Sequence, residues 1–223
     1  MADPKKISES TVRRLSHYLR LLSAVREQGV ATVSSEELAR WGGTTAAQVR
    51  KDLSVFGSFG KRGTGYDVAQ LTGELRTILG LDREWGVALI GAGRLGLALL
   101  SYPSFGRRGF HIRAVFDTEP GKIDSVREGV RIRRLDDLER VIAGGGIDIA
   151  VLAVPASEAP AVLQRLAAAG VRAVLNFAPV ALEAPAGVQV RHVDMALELE
   201  SLSFSLAQGR LGGDDSRPVS SVR

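Results

Sequence analysis

Six consecutive residues, Gly91-Ala92-Gly93-Arg94-Leu95-Gly96, have the types and spacing that hold a dinucleotide, and an acidic residue, Asp117, follows twenty-one positions after Gly96. In a G-x-G-x-x-G turn the first glycine permits the tight bend. The second lets the backbone approach a pyrophosphate, and the third lets helix and strand pack closely. The helix opened by such a turn offers free N–H groups and a positive partial charge to phosphates. Asp117 is placed to accept hydrogen bonds from the hydroxyls of an adenosine ribose. Its charge would repel a 2′-phosphate, which favours NAD(H) over NADP(H). Arg94 is either a phosphate contact or a solvated side chain, and the alternative for the whole turn is a glycine bend that binds nothing.

Turnover would need an acid or base beside this turn, and the sequence offers no such constellation. His17, His111 and His192 are isolated, and none has an acid at a spacing that suggests a paired base. Cysteine is absent, which removes disulfides, thiolate metal sites and thiol redox chemistry. No metal site is expected. Any redox sensing must then act through a bound molecule.

The elements around the turn give it the required context. Residues 85–90 read as an apolar strand running into Gly91, residues 95–100 as the helix that follows, and residues 111–116 as a second strand ending at Asp117. Further strands are expected at residues 130–132, 147–154, 171–175 and 188–192, with helices at 135–143 and 157–169. Alternating helices and continuously apolar strands indicate a parallel, doubly wound sheet. Residues 195–208 form a last helix whose leucines exceed what it needs to lie on its own sheet. A partner subunit or that sheet could cover them. Residues 209–223 have the composition of a disordered tail.

Ahead of the turn lies a different kind of module. Residues 1–80 carry 12 Lys and Arg against 8 Asp and Glu, whereas residues 81–223 carry 17 of each, so the net charge of +4 sits entirely in the first part. Residues 8–27 read as a helix capped by Ser10 or Thr11 and ended at Gly29. A short second helix starts with a capping box at Ser34 and Glu37, and a third starts at Thr45 with the same spacing to Gln48. The third presents Val49, Leu53 and Phe56 to a core, with Gln48, Arg50, Lys51, Asp52 and Ser54 off that stripe. Glycines at 57, 60, 63 and 65 then permit a hairpin with Lys61-Arg62 near its tip, and residues 68–79 form another helix. This order matches a winged helix-turn-helix, with a plain three-helix bundle as the alternative. The fold expected is α/β: a winged helix-turn-helix over 1–80, a Rossmann-type sheet over 81–194 and a dimerisation helix over 195–208. No apolar run is long enough for a membrane span and no signal peptide opens the chain, so a cytoplasmic protein is expected.

Two stretches in this order resemble the Rex family of redox-sensing transcriptional repressors. One is Gln48-Val49-Arg50-Lys51-Asp52-Leu53-Ser54, followed by Phe56-Gly57 and Gly60-Lys61-Arg62-Gly63. The other is Asn176-Phe177-Ala178-Pro179. Arg20, Leu79-Gly80-Leu81, Phe116-Asp117 and Val193-Asp194 agree as well, and the resemblance covers about residues 8–208. Thr64 and Val55 stand where an aromatic is more usual.

The resemblance implies a homodimer on double-stranded, palindromic operator DNA, released by NADH with NAD⁺ competing, and no enzyme. It implies Gln48, Arg50, Lys51 and Ser54 on a recognition helix, Lys61 and Arg62 on the wing, and Arg14 at a phosphate. It further places Val154, Pro155, Phe177 and Ala178 toward the nicotinamide, and has the last helix exchanged between subunits. Arg20, Tyr102 and Asp194 would form the sensing contacts, Arg20 reaching Asp194 across the dimer in one state. Competing readings are an NAD-dependent dehydrogenase with an added module, a CoA-binding domain, and a DNA-binding protein whose second domain only dimerises.

Overall fold

Residues 7–57, 59–60 and 64–208 are described by the structure, a computed structural model. The chain divides into two units, Met1–Glu84 and Trp85–Arg223. The expected boundary at 80/81 lies four residues earlier. The linker's start stays with the first unit because Leu81 N–H donates to Arg76 C=O (2.7 Å) and its side chain packs on the first core.

In the first unit α1 runs over Glu9–Glu27. Its cap is Ser8, whose hydroxyl accepts from Thr11 N–H at 3.2 Å; the expected caps, Ser10 and Thr11, lie inside the first turn. Helix α2 (Ser35–Trp41) starts with the full capping box of Ser34 and Glu37. Helix α3 (Ala46–Ser54) is capped by Thr45, but Gln48 does not reach back to close a box. Helix α4 spans Val68–Ile78. Leu15, Leu22, Leu38, Val49, Leu53, Leu71 and Leu75 make a single core between these helices. Strand β1 (Thr32–Val33) pairs antiparallel with β2 (Tyr66–Asp67). The strand partner of the glycine segment is therefore the chain ahead of α2. Gly65 lies so close to it that a Cβ would fall 2.6 Å from Val33 O. Lys61-Arg62 and the tail 209–223 lie outside the described residues.

The second unit is a seven-stranded sheet. Its strands are β3 (Trp85–Ile90), β4 (Phe110–Asp117), β5 (Val126–Arg127), β6 (Val130–Arg134), β7 (Ile149–Leu152), β8 (Ala173–Asn176) and β9 (Gln189–His192). The order is β5-β6-β4-β3-β7-β8-β9, parallel throughout except for β5 against β6. Leaving β5 aside, this is the doubly wound order in which the chain reverses direction across the sheet beside its first strand, and ligands bind at the carboxyl ends there. Helices α5 (Arg94–Leu100), α6 (Pro103–Arg107), α7 (Leu138–Ala143) and α8 (Ala159–Ala168) complete the fold. Alternate residues of β3 feed two cores, Ala88 and Ile90 into one and Val87 and Leu89 into the other, which is why this strand reads as continuously apolar. The two-residue strand β5 and the single-turn helix α6 were not anticipated.

The last helix, α9 (Met195–Ala207), has no buried residue. Met195, Leu199, Leu202 and Leu206 recur at i, i+4, i+7 and i+11 on one side, with Leu197 and Phe204 opposite; each is more than half exposed. It does not bury itself on its own sheet.

Candidate cofactor and DNA sites

Strand β3 delivers Gly91 to the turn, and Gly91 N–H donates to Phe116 C=O of β4 (2.8 Å). Gly91 has φ +97°, and a Cβ there would fall 2.4 Å from Ala153 O. Gly93 is the N-cap of α5 without any side-chain cap, so the first-turn N–H groups are left for a ligand. A Cβ on Gly93 would meet nothing within 4 Å, whereas one on Gly96 would fall 1.9 Å from Gly91 O. The three glycines thus have distinct tasks, and the open cradle at Gly93 fits a pyrophosphate. Arg94 and Leu95 point outward.

Gly91, Gly93, Asp117, Val154 and Pro155 line one cleft of about 270 Å³. Sequence reasoning missed four charged or polar residues on its rim: Thr118, Glu119, Lys122 and Glu158. The first three follow Asp117 within five positions, a signal available to anyone extending the motif past its acid. Asp117 is nearly buried, and its Oδ2 accepts from Ala92 N–H (2.7 Å) and Lys122 Nζ (3.2 Å). Its Oδ1 accepts from Glu119 N–H (2.8 Å), which leaves that oxygen capacity for a hydroxyl donor. Burial alone would raise this carboxyl, but the backbone donors of Glu119 and Ala92, with Lys122, outweigh it and hold the group below the usual range.

Phe177 and Ala178 follow β8 and are not among the residues that line the cleft. Phe177 is half-buried with its N–H on Leu152 C=O (2.9 Å), and Ala178 is buried. Asn176, fully buried, ties this loop by donating to Ala178 and Val180 carbonyls and accepting from Ala178 N–H at 3.0 Å. Its amide nitrogen also lies 3.1 Å from His192 Nδ1. His192 is therefore part of the loop's bracing.

In the first unit the geometry changes the reading of the recognition helix. Asp52 is 2 % exposed, not off the core stripe. Its Oδ2 accepts from Arg14 Nε (2.6 Å) and Tyr18 Oη (3.1 Å), and its Oδ1 from Arg14 Nη2 (2.7 Å) and Gln48 Nε2 (2.7 Å). Burial would raise this carboxyl; Arg14, Gln48 and Tyr18 together hold it below the usual range. Burial and the bond to Asp52 push the Tyr18 phenol up to about 12, so it remains a donor. Arg14 and Gln48, expected at DNA, are thus turned onto a carboxylate between α1 and α3. A helical wheel carried the signal, since Asp52 lies 60° from Val49, at the edge of the stripe. Arg50 bonds Ser35 Oγ (2.8 Å) and Glu36 (3.1 Å), an exposed pair that yields readily. Lys51 is exposed, and Ser54 Oγ donates to Lys51 C=O (2.8 Å).

The three residues expected to sense redox state lie on separate elements. Arg20 is exposed on α1, and Tyr102 caps α6 with its ring edge-on to Phe105 at 5.2 Å. Asp194 caps α9, Oδ1 accepting from Ala196 N–H (2.9 Å).

Comparison with known proteins decides the family. The redox-sensing transcriptional repressor Rex of Streptomyces griseus subsp. griseus is 46 % identical over 210 residues, 94 % of this chain and 82 % of that protein. The Rex repressor of Thermus thermophilus is 47 % identical over 90 % of this chain and 94 % of its own. The chain belongs to the Rex family of redox-sensing transcriptional repressors. A Rex-family repressor, RSP, solved with β-NAD⁺ and operator DNA matches with a TM-score of 0.87 at 36 % identity, covering 92 % of this chain and 94 % of that one. The same repressor with β-NADH matches with a TM-score of 0.84 at 35 % identity, over 92 % and 97 %. Family models agree with the division seen in this Rex chain: "Putative DNA-binding protein N-terminus" matches residues 6–54, and the CoA binding domain matches residues 82–180. The Rex relatives are named as repressors, not enzymes. Among the described residues no helix is long and apolar enough to cross a membrane, and no group of ligating side chains could hold a metal.

Proposed function

We propose that the chain binds operator DNA through its first unit as a homodimer and is released when NADH occupies the cleft of its second, NAD⁺ competing for the same cleft. The observation that carries the reading is the convergence of Gly91, Gly93 and Asp117 with Val154 and Pro155 at one carboxyl end of the sheet. Support also comes from RSP, crystallised with operator DNA and with each nicotinamide form. The bound nucleotide supplies the redox signal. The protein's residues hold its adenosine half and, at the nicotinamide end, must distinguish a neutral ring from a cationic one.

On the DNA side, Arg50 and Lys51 are the base-reading candidates, each worth about 1–3 kcal/mol of discrimination in a good bidentate contact. Ser54 would add a backbone or base contact, and Lys61 and Arg62 a phosphate contact. Arg14 and Gln48 act through the Asp52 network rather than as free readers. The test is binding to a labelled palindromic operator during titration with NADH, NAD⁺, NADPH and coenzyme A. Release by NADH at low concentration, with affinity falling steeply as salt rises, is the expected outcome. Release by coenzyme A instead would favour the CoA reading.

Helix α9 supports the dimer. A helix apolar on two opposed sides must be covered on both, which suits one exchanged between two copies. Leu199→Glu is expected to convert the dimer to monomer in light scattering and to weaken operator binding by more than ten-fold, since a lone module loses half the site. A dimer that survives unchanged would remove α9 from the interface. Arg20, Tyr102 and Asp194 are assigned to sensing, Phe177 and Ala178 to the nicotinamide end. Asp194→Ala is expected to keep NADH affinity while NADH no longer releases the operator; normal release in that variant refutes the assignment.

A further inference from the structure

The cleft holds an ion-pair relay for which nucleotide binding itself has no need. Lys122 Nζ lies 2.6 Å from Glu119 Oε2 and 3.2 Å from Asp117 Oδ2. Lys122 is the one cation among the described residues lining the cleft, which also include Glu158. A lysine beside an adenosine ribose is by itself a receptor for a phosphomonoester on that ribose, the group that NADPH and coenzyme A carry and NADH lacks.

Asp117 is the expected guard against such a phosphate, yet its charge is matched by Lys122, and the pair sums to zero. The guard therefore needs a second carboxylate. We propose that Glu119 is a specificity residue of this cleft: by engaging Lys122 it denies the lysine to a ribose phosphomonoester, and its own charge repels one. The inference rests on the reading of the cleft as the NAD(H) site. Glu119, Asp117 and Glu158 against Lys122 leave the lining at a net charge of −2. The bond to Glu119, followed by that to Asp117, also raises the Lys122 pKa, so the lysine stays charged in either company. The pair is partly exposed, Lys122 at 30 % and Glu119 at 61 %, which makes its own cohesion small and its partner exchangeable.

Removing one unit charge roughly 6 Å from a phosphate, at an effective dielectric between protein surface and water, changes affinity about ten-fold. The experiment measures binding of NADH, NADPH and coenzyme A by calorimetry to the full chain, to Glu119→Gln, and to Glu119→Gln combined with Lys122→Gln. Glu119→Gln is expected to improve NADPH or coenzyme A about ten-fold relative to NADH. The arm that gains identifies whether the 2′- or 3′-phosphate reaches Lys122. The double variant is expected to return the ratio to its starting value. An unchanged ratio with NADH still bound overturns the proposal, as does a gain that survives loss of Lys122. Equal weakening of all three nucleotides would mark Glu119 as merely structural. Failure of the unaltered chain to bind NADH would instead overturn the cofactor reading beneath it.

Discussion

Gly96→Ala is expected to abolish NADH binding at micromolar concentrations and to leave a repressor that stays on its operator whatever the redox state. The added methyl would sit 1.9 Å from Gly91 O, a backbone atom in the same turn, so it cannot be relieved by a side-chain rotation. The turn must open or α5 must tilt away from β3. Overpacking of this kind costs about 1–3 kcal/mol or more, and here it falls on the cradle itself, so an affinity loss of roughly 100-fold is expected. A ligand that no longer binds has no differential affinity with which to shift the DNA-bound population. Operator binding without nucleotide should survive, because the altered residue belongs to the second unit and α3, the helix proposed to read DNA, to the first.

Gly93→Ala separates fold from ligand. Its Cβ would meet nothing within 4 Å, and its φ of −74° suits any residue, so thermal stability should not change. Any loss of NADH affinity in Gly93→Ala then reports a methyl between backbone and pyrophosphate. Gly96→Ala, by contrast, should lower both stability and affinity. Denaturation and calorimetry on the two variants test this. Full NADH affinity in both would move the nucleotide away from this turn.

How much of this was legible in the sequence depended on how local the cause was. The capping box at Ser34 and Glu37, the glycine turn and the acid at 117 are set by residues a few positions apart or by strand-turn-helix context, and they appear where spacing put them. The apolar strands read correctly because a doubly covered parallel sheet leaves no polar alternation. Asp52 sits at the edge of the core stripe on a helical wheel, but the partner that makes its burial possible, Arg14, lies 38 positions away, and no periodicity links the two. Strands β1 and β2, two residues each, are too short for a pattern and exist only by pairing with one another. The excess leucines of α9 were visible, but which surface they avoid was not. That they do not cover its own sheet needed the fold, in which all six large apolar side chains stay exposed.

The second large effect is expected at Asp52, and it bears on whether the buried network serves the scaffold or the reader. Asp52→Ala leaves the Tyr18 hydroxyl and the Gln48 amide without their acceptor and the Arg14 guanidinium without its counter-charge. Breaking a buried pair from one side costs about 3–5 kcal/mol. Arg14 is 31 % exposed and can turn toward water, which puts the loss near the lower end, about 3 kcal/mol. That is a large share of a small domain's stability, so operator binding should fall while NADH binding in the other unit persists. The sign of the pH dependence follows from the depressed carboxyl. Its contribution is complete above the unfolded value of about 3.9 and is lost as pH falls below that toward the folded value, so the stability gap between the unaltered chain and Asp52→Asn should narrow in acid. Arg14→Met combined with Asp52→Leu decides the question of purpose. Apolar replacements of similar volume often match or exceed a buried ion pair in stability. If the network orients the recognition helix, this double variant regains stability in denaturant yet binds operator weakly and with a shallower preference for specific over random DNA. If it recovers specific binding as well, Asp52 is scaffold alone, and Gln48 returns to the residues available for reading bases.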